Sequence, residues 1–279
     1  MLSYRHAFHA GNFADVLKHC VLTLVLDYMT RKDKGFTYID SHAGAGMYSL
    51  HNDYAKKTGE YQQGIAKLIN QSDLPEVLVP YVELIQSLNP AHQLNLYPGS
   101  PAIAREILRR QDSAHLFELH PTDHQLLAEY CQRWKKSFIK QQDGYQGVLS
   151  LLPPPSRRAV VLIDPPYEIK TDYQNAVQTI INSYKKFPTG TYILWYPVVK
   201  RSFVEQMQQQ FSRSSVKNLL QLEFCLSADT DEYGMTGTGL FVINPPWQLA
   251  EQMGTVLPYL SEKLSANRTN YKIEQLIAE

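Results

Sequence analysis

Cysteine is scarce in this 279-residue chain, and the three present, Cys20, Cys131 and Cys225, lie far apart with no Cys-x-x-Cys pair. That excludes a disulfide framework and a zinc ribbon, and a reducing cytoplasm is the expected setting. Long apolar runs are lacking too. No stretch approaches the roughly 20 residues that span a bilayer, so no membrane segment is expected. At the start, Tyr4, Arg5, His6 and His9 stand where a secretory signal would carry its apolar core. Net charge is also missing: 27 Lys and Arg balance 27 Asp and Glu. A wholly basic nucleic-acid protein is thereby excluded, and any polyanion must be met by local patches. Internal repeats and low-complexity linkers are absent. The 44% of hydrophobic residues suffices for a substantial core, in one α/β domain over 1–279 that carries an insertion.

What is present begins with residues 159–167, an apolar and β-branched run that stops at Asp164-Pro165-Pro166-Tyr167. The run has the composition of a buried parallel strand. Proline has no amide proton and fixes its own φ, so the chain must leave the sheet at Asp164. This puts a carboxylate at the carboxyl edge, where open α/β sheets bind ligands. An exocyclic amine of a nucleobase becomes attackable when acceptors hold both its hydrogens and an aromatic ring clamps the base. Asp164 offers one acceptor, the Pro165 carbonyl a second, and Tyr167 a face for stacking. A strand ending of no chemical consequence is the competing reading. Asn244-Pro245-Pro246-Trp247 repeats the shape after a late strand, beyond the crevice order, and is read as structural.

The remaining pattern supplies a frame. A helix is predicted over 12–32, with Asn12 as N-cap, a buried stripe from Val16 to Met29, and Lys18 and His19 at its margin. These two are either solvated or close to a ligand. Residues 36–40 form a strand ending in Asp40, followed by the turn Ser41-His42-Ala43-Gly44-Ala45-Gly46, which follows the logic of a nucleotide-binding first βα turn. No second strand arrives promptly, so residues 50–107 are a helical insertion. Ser100 is placed to cap the helix over 102–110. The second strand ends in Glu118, positioned either for ribose hydroxyls or for a surface pair. The third runs into Asp143-Gly144, a contact for an adenine edge or an ordinary turn. Later strands are expected over 192–197, 219–226 and 240–243, with helices over 174–187 and 202–211.

Together these residues resemble a class I S-adenosylmethionine-dependent methyltransferase of the Asp-Pro-Pro-Tyr amino-methylating group. More narrowly the chain resembles the RlmJ family, ribosomal RNA large-subunit methyltransferases that act on adenine N6 in 23S ribosomal RNA. The likeness rests on Tyr4-Arg5-His6, His9-Ala10-Gly11-Asn12, Asp15-Val16-Leu17-Lys18-His19, His42-Ala43-Gly44-Ala45-Gly46 and Tyr97-Pro98-Gly99-Ser100-Pro101. It extends through Glu118-Leu119-His120-Pro121, Asp143-Gly144, Asp164-Pro165-Pro166-Tyr167, Leu194-Trp195-Tyr196-Pro197 and Asn244-Pro245-Pro246-Trp247. His42, where the generic pattern has glycine, counts toward this family.

The resemblance implies a Rossmann-like, seven-stranded, mostly parallel sheet with the helical insertion after the first strand. It implies that Lys18, His19, His42, Ser100, Glu118, Asp143, Gly144 and Asp164 line the S-adenosyl-L-methionine site. Asp164 would be the proton acceptor and Tyr4 would meet the RNA, while Pro165 and Tyr167 hold the base. The expected reaction is an in-line methyl transfer that requires no metal and leaves S-adenosyl-L-homocysteine. The expected partner is 23S ribosomal RNA, with a cytoplasmic monomer and no membrane. For the RNA backbone, the candidates are Arg105, Arg109, Arg110, Arg133, Lys135, Lys136, Arg157, Arg158, Lys200 and Arg201. The alternatives are a DNA adenine-N6 methyltransferase, which would normally carry a separate target-recognition domain, and a catalytically silent RNA-binding assembly factor.

Overall fold

A computed structural model describes residues 6–51, 53–90, 93–230, 234–265 and 271–279. Helix α1 (Phe13–Thr30) starts at Asn12, whose side-chain oxygen accepts from the amides of Ala14 and Asp15 at 3.0 Å each. Strand β1 (Thr37–Asp40) follows and is buried throughout. An antiparallel pair, β2 (Met47–Ser49) and β3 (Leu96–Pro98), then brackets a segment containing α2 (Asp53–Thr58) and α3 (Val79–Ser87). After it come α4 (Ser100–Ile107), β4 (Ser113–Phe117), α5 (Pro121–Cys131), β5 (Ser137–Lys140), α6 (Gly144–Leu151) and β6 (Ala159–Ile163). The rest is α7 (Thr171–Lys186), β7 (Thr191–Val198), α8 (Arg201–Ser212), β8 (Leu219–Cys225), β9 (Gly237–Ile243), α9 (Leu249–Leu264) and β10 (Tyr271–Ile277).

Among the described residues the main sheet has eight strands in the order β10-β8-β9-β7-β6-β1-β4-β5. Strands β5, β4, β1, β6 and β7 run parallel, whereas β9 is antiparallel to both β7 and β8. The eighth strand, β10, pairs antiparallel with β8 at the edge and is largely exposed. Its mixed polar sequence lacks the apolar run that marks the inner strands, and periodicity therefore does not reveal it. From β1 the chain moves outward to β4 and β5 on one side, then returns to β6 and β7 on the other. The reversal lies between β1 and β6, and the crevice of such a sheet opens at their carboxyl ends.

Alternate residues of the central strands feed two cores. Tyr38, Val160 and Leu162 pack with Val16 of α1, Ile103 of α4 and Leu257 of α9. Ile39, Val161 and Ile163 pack with Val148 of α6, Ile180 of α7 and Met207 of α8. Burial on both faces is what the unbroken apolar runs require. The inserted helices lie between β2 and β3. The last part of the 50–107 stretch, α4, packs on α1 and β1 as the crossover to β4. It begins at Gly99 rather than at a serine cap, and Ser100 is free to bond elsewhere.

Helix α1 departs from a simple amphipathic helix, because the sheet, α3, α4 and α9 enclose it. Lys18 and His19 are 3% and 1% exposed, so the margin assigned to them by periodicity is interior. Asn12 also donates to Glu60 at 2.9 Å and so joins the helix start to the inserted segment. Replacing Asn12 with alanine removes the cap and this tie, and urea unfolding should show a loss of about 1–2 kcal/mol; an unchanged midpoint would contradict the assignment.

Candidate active site

The carboxyl ends of β1 and β6 bring Asp40 and Asp164 to neighbouring positions, since Asp40 pairs with Leu162 in the parallel register. The two acids have different surroundings. Asp40 is fully buried and accepts from Ser100 Oγ at 2.6 Å, Tyr38 Oη at 2.7 Å and the His42 amide at 3.3 Å. Burial pushes its pKa up to about 6 against these hydrogen bonds. Asp40 therefore holds the Gly-containing turn in place. Ser100, predicted at the cofactor, is spent on this carboxylate here.

Asp164 is bound through one oxygen only. Lys18 Nζ donates to its Oδ2 at 2.6 Å and contacts Asp15 Oδ1 at 2.8 Å. Burial would lower the Lys18 pKa, but the charges of Asp15 and Asp164 raise it above the usual lysine value. Asp15 is itself held by His6 Nε2 and the Gly11 amide, each at 2.9 Å. Burial opposes its ionisation, yet the His6 and Lys18 charges keep its carboxyl well below the usual range. Among the described residues, Asp164 Oδ1 and the Pro165 carbonyl accept no hydrogen bond.

Tyr167 follows in the left-handed region, at φ 52°, a strained setting for a tyrosine. Its hydroxyl donates to the Trp195 carbonyl at 2.5 Å, and its ring lies 4.5 Å from that of Tyr173 and 5.6 Å from Trp195. Trp195 is fixed by a 2.7 Å bond from its indole to Thr238 and carries Lys18 5.5 Å over its ring. These contacts fix the Tyr167 ring at the end of the Asp-Pro-Pro-Tyr turn.

His42, Glu118, Asp143 and Gly144 follow β1, β4 and β5 at the same carboxyl edge. Glu118 accepts from the Gly44 amide at 2.8 Å and the His120 amide at 2.7 Å, and burial raises its pKa. A carboxylate has about four acceptor positions, so two remain. Asp143 caps α6 through Gln146 at 3.1 Å, using one oxygen. At Gly144 a Cβ would lie 1.7 Å from the Ser41 carbonyl oxygen, so only glycine lets α6 start against the first turn. His42 is edge-on to Tyr145 at 5.0 Å, with burial lowering its pKa to about 4. His19 sits between α1 and β3, where Nδ1 meets Tyr97 Oη at 2.8 Å. Tyr4 lies outside the described residues.

The family described as ribosomal RNA large subunit methyltransferase D, RlmJ matches residues 33–277. The chain belongs to this family. The Escherichia coli K12 protein named ribosomal RNA large subunit methyltransferase J is 50% identical over 264 residues, covering 95% of this chain and 94% of that one. Its namesake in Haemophilus influenzae is 46% identical over 281 residues and covers both chains fully. A crystal structure of protein LPL1258 from Legionella pneumophila superposes with a TM-score of 0.90 at 39% identity, covering 96% of this chain and 98% of that one.

The second Pro-Pro motif lies at the other end of the sheet. Because β9 runs antiparallel to β7, Asn244 emerges at the amino edge of the parallel strands. There its amide donates to the carbonyls of Pro188 and Gly190 at 2.7 Å each. Asp15, Trp195 and Tyr145 are the site residues that periodicity missed. The available signal for Asp15 was an acid three positions before Lys18 in an otherwise apolar helix. Tyr145, whose hydroxyl is buried without a partner among the described residues, had no such signal.

His19 also makes the fold acid-sensitive. Burial lowers its pKa to about 3, so the folded state keeps it neutral while the unfolded chain takes up a proton near pH 6.5. The unfolded state binds more protons between those values, and stability therefore falls as pH drops below 6.5. At pH 5 the loss from this group is about 2 kcal/mol relative to pH 7. His19→Gln should flatten the urea-unfolding profile between pH 7 and 5, and an equal slope in both proteins would refute it.

Proposed function

We propose that this protein transfers a methyl group from S-adenosyl-L-methionine to the N6 amine of an adenine in 23S ribosomal RNA, leaving S-adenosyl-L-homocysteine. The observation that carries the reading is a pair of acceptors unengaged among the described residues, Asp164 Oδ1 and the Pro165 carbonyl, next in sequence to the fixed ring of Tyr167 at the reversal of the sheet. An amine with two hydrogens fits two acceptors. The names of the relatives support large-subunit ribosomal RNA as the source of that amine.

The edge also fits the cofactor. Glu118 has two acceptor positions left for ribose hydroxyls among the described residues, and Asp143 has an oxygen left for an adenine amine. The resemblance implies Lys18, His19, His42 and Ser100 as well: His42 lies on the first turn, whereas Lys18, His19 and Ser100 are bonded to Asp164, Tyr97 and Asp40 and would shape the site through those residues. When bound, S-adenosyl-L-methionine supplies a methyl group made electrophilic by its positively charged sulfur.

The work of the chain is then positioning and proton handling. Lys18 holds Asp164 Oδ2, which directs Oδ1 toward the amine. The Pro165 carbonyl takes the second hydrogen, and the two acceptors turn the nitrogen lone pair away from the conjugated ring. Asp164 accepts the proton that the nitrogen loses as its bond to the methyl carbon forms, then releases it to solvent. Tyr167 holds the extruded base by stacking, and Tyr4 is proposed to meet the RNA at the entrance.

The test is methyl transfer from labelled S-adenosyl-L-methionine to protein-free 23S ribosomal RNA, followed by nucleoside analysis. Wild type should yield N6-methyladenosine. Asp164→Ala should lose about 10²–10⁴-fold in turnover, while Asn244→Ala keeps its rate. Near-normal transfer by Asp164→Ala, or a different methylated nucleoside, would overturn the reading.

A further inference from the structure

The chain has no net charge, but its charges are not evenly spread. Segments 31–34, 109–112, 133–136 and 157–158 carry ten of the 27 lysines and arginines and only two of the 27 acids. The fold gathers all four at one place. They are the turns entering β1, β4, β5 and β6, which lie side by side and parallel, so every one opens at the amino edge of the sheet.

Hydrogen bonds join these turns into one surface. Arg109 donates to the carbonyls of Thr30 and Lys32 and to Asp112, and Arg158 donates to those of Met29 and Lys34. Lys136 reaches the Gln111 carbonyl, and Gln111 the carbonyl of Asp33. Arg109 and Arg158 are therefore structural and are withdrawn as RNA contacts. Arg105, bonded to the Tyr130 carbonyl, and Arg201, paired with Glu223 and Asp229, are withdrawn for the same reason. What they leave is a set of exposed cations, Lys32, Lys34, Arg110, Arg133, Lys135 and Arg157, none of which forms an ion pair among the described residues.

Stabilisation of helix ends does not account for this excess. Helices α1, α4, α5 and α6 end near these turns, and each carboxyl terminus carries about half a negative charge, or about two in all. The four segments hold ten cations against two acids. The strands are closely spaced, about 4.8 Å apart, so the four turns form a stripe about 15 Å wide. A row of exposed cations this wide suits successive phosphates of one strand.

We infer that the amino edge of the sheet is a second RNA-binding surface, which takes the phosphodiester backbone of a ribosomal RNA segment other than the one in the active site. It is another segment because the reacting edge faces the opposite way, beyond about 10 Å of β1. The inference rests on RNA being the substrate. It does not depend on which atom is methylated.

The test compares wild type with a variant carrying Lys32→Gln, Arg110→Gln, Arg133→Gln and Lys135→Gln, four exposed positions outside the catalytic edge. RNA affinity is read by filter binding against salt, on full-length 23S ribosomal RNA and on a short fragment containing the methylated nucleotide. On the long RNA the salt slope should fall by about one per lost phosphate contact, and KM should rise at least fivefold with kcat unchanged. On the short fragment both proteins should behave alike. A Lys32→Arg, Lys135→Arg protein should retain wild-type affinity. Equal slopes and KM on the long RNA would overturn the inference, as would equal losses on both RNAs, which would put these cations on the path to the active site. Absence of N6-methyladenosine with the wild type would defeat the proposed reaction and leave the binding comparison readable.

Discussion

The site depends on one buried cation. Lys18 lies between Asp15 and Asp164, inside a helix that the sheet and three helices enclose, and it ties α1 to the carboxyl end of β6. Each charge would be costly alone in that setting, and removing one partner of such a set strands the rest, typically at about 3–5 kcal/mol. The arrangement therefore fixes geometry more than it adds stability. It holds one oxygen of Asp164, leaves the other unbonded among the described residues, and couples His6, through Asp15, to the carboxyl edge of the sheet.

The direction of the strands sorts the rest of the surface. Parallel strands send their carboxyl ends, with Asp40, Glu118 and Asp164, to one edge and their entering turns, rich in lysine and arginine, to the other. Strand β9 runs against them, so two motifs of nearly the same sequence arrive at opposite edges. Asp164 meets a lysine and keeps one carboxylate oxygen unbonded among the described residues, while the side-chain amide of Asn244 is taken up by two backbone carbonyls. The chemistry of the two turns follows from topology as much as from the residues that form them.

Much of this could be read from residues alone, and the limits have physical causes. The inner strands announced themselves as apolar runs, because burial on both faces demands such runs. Strand β10 did not, since an edge strand tolerates lysine, glutamate and glutamine. The acids at strand ends were visible as interruptions of those runs. Their division of labour was not: nothing in the order of residues shows that Tyr38 and Ser100 use up Asp40 while Glu118 and Asp143 keep oxygens to spare. Lys18 and His19 lay beside an apolar stripe, and periodicity cannot tell a solvated margin from one covered by α3 and α4. The structure shows both to be interior, where the pattern left two readings open. The arginines were the least readable, because a guanidinium that closes helix ends and one left for a ligand look the same in sequence.

The central claim is that an adenine amine is received at the carboxyl edge, between Asp164 and the Pro165 carbonyl. A crystal structure with S-adenosyl-L-homocysteine and adenosine tests it most directly. The account predicts the exocyclic nitrogen within hydrogen-bond distance of Asp164 Oδ1 and the Pro165 oxygen, with Tyr167 stacked on the base and the cofactor ribose on Glu118. Adenosine bound away from this turn, or held with its amine facing solvent, would contradict it.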